Sequence, residues 1–201
     1  MDKFAAPGEV VRFWRRAGPG RWFRRDDDFD ARFRGCCLAA HEAAAAGRLG
    51  DWGETAEGAL ALVLLLDQFP RNAFRGTARV YATDALARAA ADAAIGRGFD
   101  RAVAAQLRQF FYLPFMHSEL LADLERCVAL NEALGGESLR WARHHRDVVA
   151  RFGRFPHRNQ ALGRPSTPEE ERFLAAGGFS GGQLASPAGA GQRRRSSSPP
   201  T

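Results

Sequence analysis

The chain has 201 residues, 45% of them hydrophobic, and a formal net charge of +6 at pH 7. This length and hydrophobic content suffice for one core, so we expect a single domain. No apolar run approaches the roughly 20 residues that a membrane-spanning helix needs, and the N-terminus lacks the features of a secretory signal. We therefore expect a cytoplasmic protein that does not enter a membrane.

The positive charge does not by itself indicate nucleic-acid binding. Half of the net charge comes from Arg193, Arg194 and Arg195 near the C-terminus. Elsewhere arginines and acidic residues are nearly balanced, which is typical of a solvated surface with ion pairs. Nucleic acid is therefore the partner that the composition supports least.

The first half of the chain predicts two long helices. One covers about 29–46, with Asp26–Asp28 at its start and Gly47 just past its end. The other covers about 56–69 and is apolar on nearly every side, which places it in the middle of the core. We expect Pro70 to end this second helix, because proline interrupts helical hydrogen bonding.

Three more helices are predicted in the middle of the chain. Thr83 is expected to cap a helix that has Asp84 on its polar face. A helix over 101–113 is expected to end near Pro114, and Ser118 is expected to cap the helix after it. No segment shows the alternation typical of strands.

Two helices complete the pattern. Apolar residues at helical spacing predict one over 137–152, and Thr167–Glu170 form a capping box at the start of the last one. The total of seven or eight helices gives an all-α fold class. We place the helical domain at 1–176 and a disordered tail, rich in Gly, Ser and Pro, at 177–201.

A short sequence pattern occurs twice. Phe69–Asn72 recurs as Phe155–Asn159, and in both places a glycine follows four residues after the asparagine. An arginine and an asparagine after a proline put a cationic fork and an amide at a helix exit. The two corners could tie off free carbonyls, repeat a structural unit, or contribute to one site.

Three longer stretches carry a family resemblance. Leu64–Gly76, Phe110–Glu119 and His145–Leu174 resemble the hallmark motifs of the bacterial family known as domain of unknown function 924. The resemblance extends over most of Val10–Leu174 in the right order. It implies a helical fold similar to tetratricopeptide-repeat proteins, and it implies no established reaction.

These motifs concentrate ionisable and amide side chains, which form either a buried ion network or the lining of a cleft. The candidate ligand-binding residues are Asp67, Arg71, Asn72, Arg75, His117, Glu119, His145, Arg151, Arg154, His157, Arg158 and Asn159. His117 and Glu119 flank the expected cap Ser118, so we expect both at a helix N-terminus that favours anions. A lone histidine on an apolar helix face, such as His145, is more often a hydrogen-bonded core residue.

The sequence lacks the spacings of known metal and cofactor sites. It contains no HExxH or CxxC pattern, no dinucleotide fingerprint and no phosphate-cradling glycine loop. We therefore expect neither a metal nor a cofactor.

Two functional hypotheses remain open. The first is a helical binding module whose corners and His117 hold an anionic small molecule or an acidic peptide end. The second is a hydrolase of a phosphorylated or carboxylated metabolite, with His117 or His157 as general acid or base and Glu119 or Asp67 orienting it.

Overall fold

The computed structural model describes residues 5–179, and within that range the chain is helical with no strand. Eight helices have eight or more residues: α1 (Pro7–Ala17), α2 (Asp27–Ala45), α3 (Ala56–Val63), α4 (Asp84–Gly96), α5 (Ala105–Met116), α6 (Leu121–Glu132), α7 (Gly136–Phe152) and α8 (Pro168–Ala175). Shorter helical segments join them, so the total slightly exceeds the predicted count. The all-α prediction is confirmed.

The core is built around α3, as its sequence predicts. Leu60 on α3 is buried, and so are Leu64 and Leu65 in the turn that follows it. Helices α1, α4 and α5 pack against α3 from different sides. The aromatic part of the core joins α1 to α5, where Trp14 meets the Phe110 ring edge-on at a centroid distance of 5.4 Å.

Pro70 does not end the central helix, contrary to the prediction. The chain passes from α3 through a π turn, Leu64–Gln68, into a short helix, Phe69–Ala73. A proline lacks the N–H that would bond to the carbonyl four residues earlier, at Leu66. Here the Thr83 hydroxyl donates to the Leu66 carbonyl instead, at 2.6 Å, so the helical path continues without an orphaned acceptor.

Thr83 occupies the N-cap position of α4, as predicted. It precedes α4, but its side chain makes no capping bond to that helix because the hydroxyl is used at Leu66. Pro114 likewise lies inside α5 rather than at its end.

The expected cap at Ser118 is also wrong. Helix α6 begins at Leu121, and the Ser118 hydroxyl accepts a bond from the Leu120 N–H and donates to Asp123. His117 instead closes α5, because its N–H donates to the Leu113 carbonyl at 2.9 Å. His117 thus stands at the C-terminus of α5 rather than at a helix N-terminus, whereas Glu119 directly precedes Leu120, the N-cap of α6.

The C-terminal part follows the sequence more closely. Helix α7 packs along α6, and the capping box of α8 is present between Thr167 and Glu170. Within the described range, none of the helices combines the length and apolar character needed to cross a membrane. Most of the predicted tail, 180–201, lies outside the described residues, so the domain boundary at 176 stays a prediction.

Candidate functional site

A cavity of about 680 Å³ lies among the short helix Phe69–Ala73, α5, α7 and the 3-10 turn Pro156–Arg158. This volume is within the range of small-molecule sites. Seven of the twelve candidate residues line it: Arg71, Asn72, Arg75, His117, His145, His157 and Arg158. The cavity therefore brings both related corners of the sequence to one place.

Asp67 lies behind the cavity wall and is fully buried. Its carboxylate accepts hydrogen bonds from His117 Nδ1, at 2.8 Å, and from the side chain of Gln68, and lies 3.2 Å from Arg71 Nη1. Burial alone would raise the pKa of Asp67, but the charge of Arg71 and the contact with His117 outweigh it and lower the pKa to about 2. Asp67 is thus an ionised group that positions two lining side chains.

Arg71 and Arg158 meet at the carboxylate of Asp84, which the sequence predicts on the polar face of its helix. Arg71 Nη1 donates to Asp84 Oδ1 at 2.9 Å, and Arg158 Nη1 lies 3.5 Å from Asp84 Oδ2. Asp84 is buried at the start of α4 rather than exposed. The two corners therefore converge on one acceptor, which argues against a merely coincidental repeat.

The guanidinium of Arg158 is held between two rings. Tyr81 and Phe155 each lie 4.6 Å from it, centroid to Cζ, and its Nη2 donates to the His117 carbonyl at 2.9 Å. Burial lowers the pKa of Arg158 to about 10, which leaves it charged at neutral pH. A flat cation stacked in this way has a fixed orientation.

Three lining side chains keep a buried nitrogen that has no hydrogen-bond partner among residues 5–179. These are Arg71 Nη2, Arg158 Nε and His157 Nδ1. Buried polar groups in folded proteins are nearly always satisfied, so three such nitrogens among the lining residues, against one outside the lining at Trp14, favour a group bound in the cavity. This feature distinguishes the cavity from a fully paired structural network.

The three cavity histidines are held neutral. Burial lowers the pKa of His145 and of His157 to about 3, and burial together with Arg71 lowers the pKa of His117. His145 also bonds to the Trp141 carbonyl at 2.8 Å, in keeping with the hydrogen-bonded core reading, although it reaches the cavity as well. Because Asp67 is ionised and can only accept, the proton of His117 sits on Nδ1.

Arg75 and Asn72 line the cavity but are mutually satisfied. Arg75 donates to both oxygens of Asp30 and to the Asn72 side-chain oxygen, at 2.7 Å, and Asn72 donates to the Gln68 carbonyl. These contacts tie the first corner to α2.

Three of the remaining candidates, Glu119, Arg154 and Asn159, belong to a second polar network outside the cavity lining. Glu119 accepts from Arg164 at 2.7 and 3.0 Å and from the Phe155 N–H at 2.8 Å. Arg154 donates to both oxygens of Glu170, which Asn159 also contacts. These bonds fasten the segment after α7 to α8 and to the connection between α5 and α6.

Arg151 belongs to neither group. It pairs with Glu169 on the surface, where both side chains are about half exposed. It serves as a useful control because it has the same chemistry as Arg158 in a solvated setting.

Sequence reasoning missed several members of the site. Asp84, Tyr81 and Gln68 contact the candidate residues directly, and Trp141 and Phe179 supply aromatic wall. The only signal for Gln68 was its place beside Asp67 in a recognised motif. Nothing in the sequence distinguished Asp84 from the exposed Asp92 of the same helix.

Comparison with known proteins identifies the family of this chain. The family model described as bacterial protein of unknown function (DUF924) matches residues 10–178. The chain belongs to this family. A solved structure of a protein of unknown function from Agrobacterium tumefaciens is 55% identical, covers 85% of this chain and 97% of that chain, and superposes with a TM-score of 0.83. No curated protein matches the chain.

The structure offers no obvious metal site in the part of the chain that it describes. No group of three or more His, Cys, Asp or Glu side chains there is arranged to hold a metal ion. The expectation that this family member uses neither metal nor cofactor stays a prediction.

Two depressed carboxyl pKa values predict loss of stability in acid. The Arg154 bond lowers the pKa of Glu170 from 4.5 to about 2, and that of Asp67 falls from 3.8 to about 2. Since both groups bind protons more weakly when folded, their stabilisation is full above pH 4.5 and is lost as the pH falls toward 2. Urea unfolding between pH 7 and pH 2.5 should show this decline.

Glu170→Gln should lower the free energy of unfolding by about 2 kcal/mol at pH 7 and make the acid decline shallower. Glu171→Gln, at an exposed position of the same helical turn, should leave both unchanged. An equally steep acid decline in Glu170→Gln would rule out this origin of the pH dependence.

Proposed function

We propose that the cavity binds an anionic small molecule, in keeping with the binding-module hypothesis. One observation carries the proposal: the partly buried Arg71 and the buried Arg158 line the same cavity, and each keeps a buried nitrogen without a hydrogen-bond partner among the described residues. Once a small side-chain shift exposes them, each of these nitrogens would donate a charge-assisted hydrogen bond to a ligand oxygen. His157, with its own unsatisfied nitrogen, adds a neutral contact beside them.

The proposed site is smaller than the sequence candidate set. It contains the seven lining residues, with Asp67 as a positioning group, and omits Glu119, Arg151, Arg154 and Asn159. A tetratricopeptide-like arrangement of the helices and a cytoplasmic location remain part of the proposal. The alternative occupant is an acidic peptide end.

The proposal predicts a ligand-dependent rise in melting temperature. A panel of small carboxylates, phosphate esters and short peptides with free carboxyl ends would be screened by thermal shift with the full chain. A small anion at about 100 times its dissociation constant should stabilise the fold by roughly 2.7 kcal/mol. Peptides should give a smaller shift than the best small anion.

Arg158→Gln should weaken the best anion about tenfold or more, because a charge-assisted bond is lost. The matched control, Arg151→Gln, should bind it as the wild type does. Arg158→Lys keeps the charge and serves as a second test of the site if the glutamine variant misfolds. The proposal is wrong if no anion in the panel stabilises the protein, or if the Arg151 and Arg158 variants respond alike.

A second candidate function, catalysis of hydrolysis, has one specific observation in its favour. The bond of 2.8 Å between His117 and the ionised Asp67 fixes the imidazole and leaves Nε2 as the proton acceptor. A neutral imidazole beside two guanidinium groups could take a proton from water while the arginines stabilise negative charge on the substrate.

This second candidate predicts a strong dependence of turnover on His117. If a carboxylic or phosphoric ester from the screen is hydrolysed, His117→Gln should lower kcat at least about a hundredfold, since general base catalysis typically contributes that much. His144→Gln, at the position directly before the cavity residue His145 but outside the lining, should retain full kcat. Unchanged turnover in His117→Gln would remove this residue from the chemistry.

A further inference from the structure

The charges around the cavity are nearly balanced before any ligand enters. Arg71 and Arg158 face the buried carboxylates of Asp67 and Asp84, and Arg75 is paired with Asp30. The cavity histidines are neutral at pH 7 because burial lowers the pKa of each. The wall therefore offers directed donors but little excess positive charge.

This balance favours a ligand with a single negative charge. A phosphate monoester carries about −1.5 to −2 at pH 7 and three acceptor oxygens. A carboxylate carries one charge and two oxygens, equal in number to the two unsatisfied guanidinium nitrogens, Arg71 Nη2 and Arg158 Nε. Desolvating the second charge of a phosphate costs free energy, and the cavity has no unpaired cation among the described residues to offset that cost.

The rest of the wall is suited to an apolar body. Trp22 and Phe23 approach from the N-terminal region, Leu113 and Met116 from α5, Trp141 from α7, and Phe179 from the end of the described chain. The rings of Phe23, Trp141 and Phe179 are partly exposed, so they have surface left to cover. A cavity of about 680 Å³ has room for a ring system beyond the carboxylate.

We infer that the ligand is a monocarboxylate with an aromatic or branched apolar body, whose carboxylate lies against Arg71 and Arg158 and whose body lies against the aromatic wall. This inference rests on the proposed anion site and narrows its ligand class. It places phosphorylated sugars and nucleotides outside the preferred ligands.

Four probes of related shape separate charge from apolar contact. They are phenylpropanoate, the uncharged phenylpropanol, phenyl phosphate and acetate, each titrated into the full chain by calorimetry at pH 7. Phenylpropanoate should bind at least about tenfold more tightly than each of the other three, since it alone combines one charge with a ring. Acetate or phenylpropanol as tight as phenylpropanoate would overturn the inference.

The outcomes also distinguish the inference from the proposed function. If phenyl phosphate binds most tightly and its affinity falls in Arg158→Gln, the anion site stands and the carboxylate class is wrong. If no probe depends on Arg158, in either the glutamine or the lysine variant, both the site and the ligand class fail.

A matched pair of variants tests the apolar wall. Phe23→Ala should weaken phenylpropanoate roughly tenfold, because a ring contact is lost, and should leave acetate unchanged. Phe99→Ala removes a similarly half-buried ring outside the cavity and should leave both affinities unchanged. Equal effects of the two variants on phenylpropanoate would contradict the placement of its body.

Discussion

The carboxylate of Asp84 is the group on which the site depends, because it is the meeting point of two distant parts of the chain. Arg71 lies in the short helix Phe69–Ala73 and Arg158 lies in the 3-10 turn after α7, yet the side chains of both contact this one carboxylate. Asp67 holds Arg71 from the other side. Removing one member of such a buried set leaves an uncompensated charge, which destabilises proteins by about 3–5 kcal/mol.

The same network explains why the cavity lining contains hydrogen-bond donors that could bind a ligand. A purely structural network would satisfy all of its donors, as Arg154 and Glu170 nearly do in the second cluster. In the cavity, Arg71 and Arg158 are fixed by carboxylates, a carbonyl and two rings, while one nitrogen of each stays unsatisfied within the described chain. A small shift of either side chain would present its unsatisfied nitrogen to a ligand oxygen.

Much of the fold could be read from local sequence signals. Apolar periodicity located α3 and α7, and the capping box located α8, because these signals act within one helical turn. The predictions for Pro70 and Ser118 were wrong because the roles of these residues depend on partners elsewhere in the chain. Thr83 donates a hydrogen bond to the Leu66 carbonyl, and Asp123 accepts one from the Ser118 hydroxyl. Local sequence patterns do not report contacts between distant segments, so these contacts could not be predicted.

The site was predictable in part for the same reason. The repeated corners and motif histidines identified Arg71, His117 and Arg158, since several ionisable groups in apolar surroundings need an explanation. Helical periodicity indicates which face of a helix a residue lies on but not how deeply that face is buried. The sequence therefore predicts Asp84 on a polar face, whereas the structure buries it. Separating Glu119 from the cavity required the position of Arg164, which no spacing in the sequence could supply.

The most direct test of this account is a double-mutant cycle between Asp84 and Arg158, measured by urea unfolding at pH 7. Asp84→Asn should destabilise the protein by about 3–5 kcal/mol, because two buried guanidinium groups lose their shared partner. Arg158→Gln in that background should restore part of the loss by removing one uncompensated charge, so the effects should be strongly non-additive. Losses that simply add would show that the two residues do not interact, and would contradict the convergence of the two corners on Asp84.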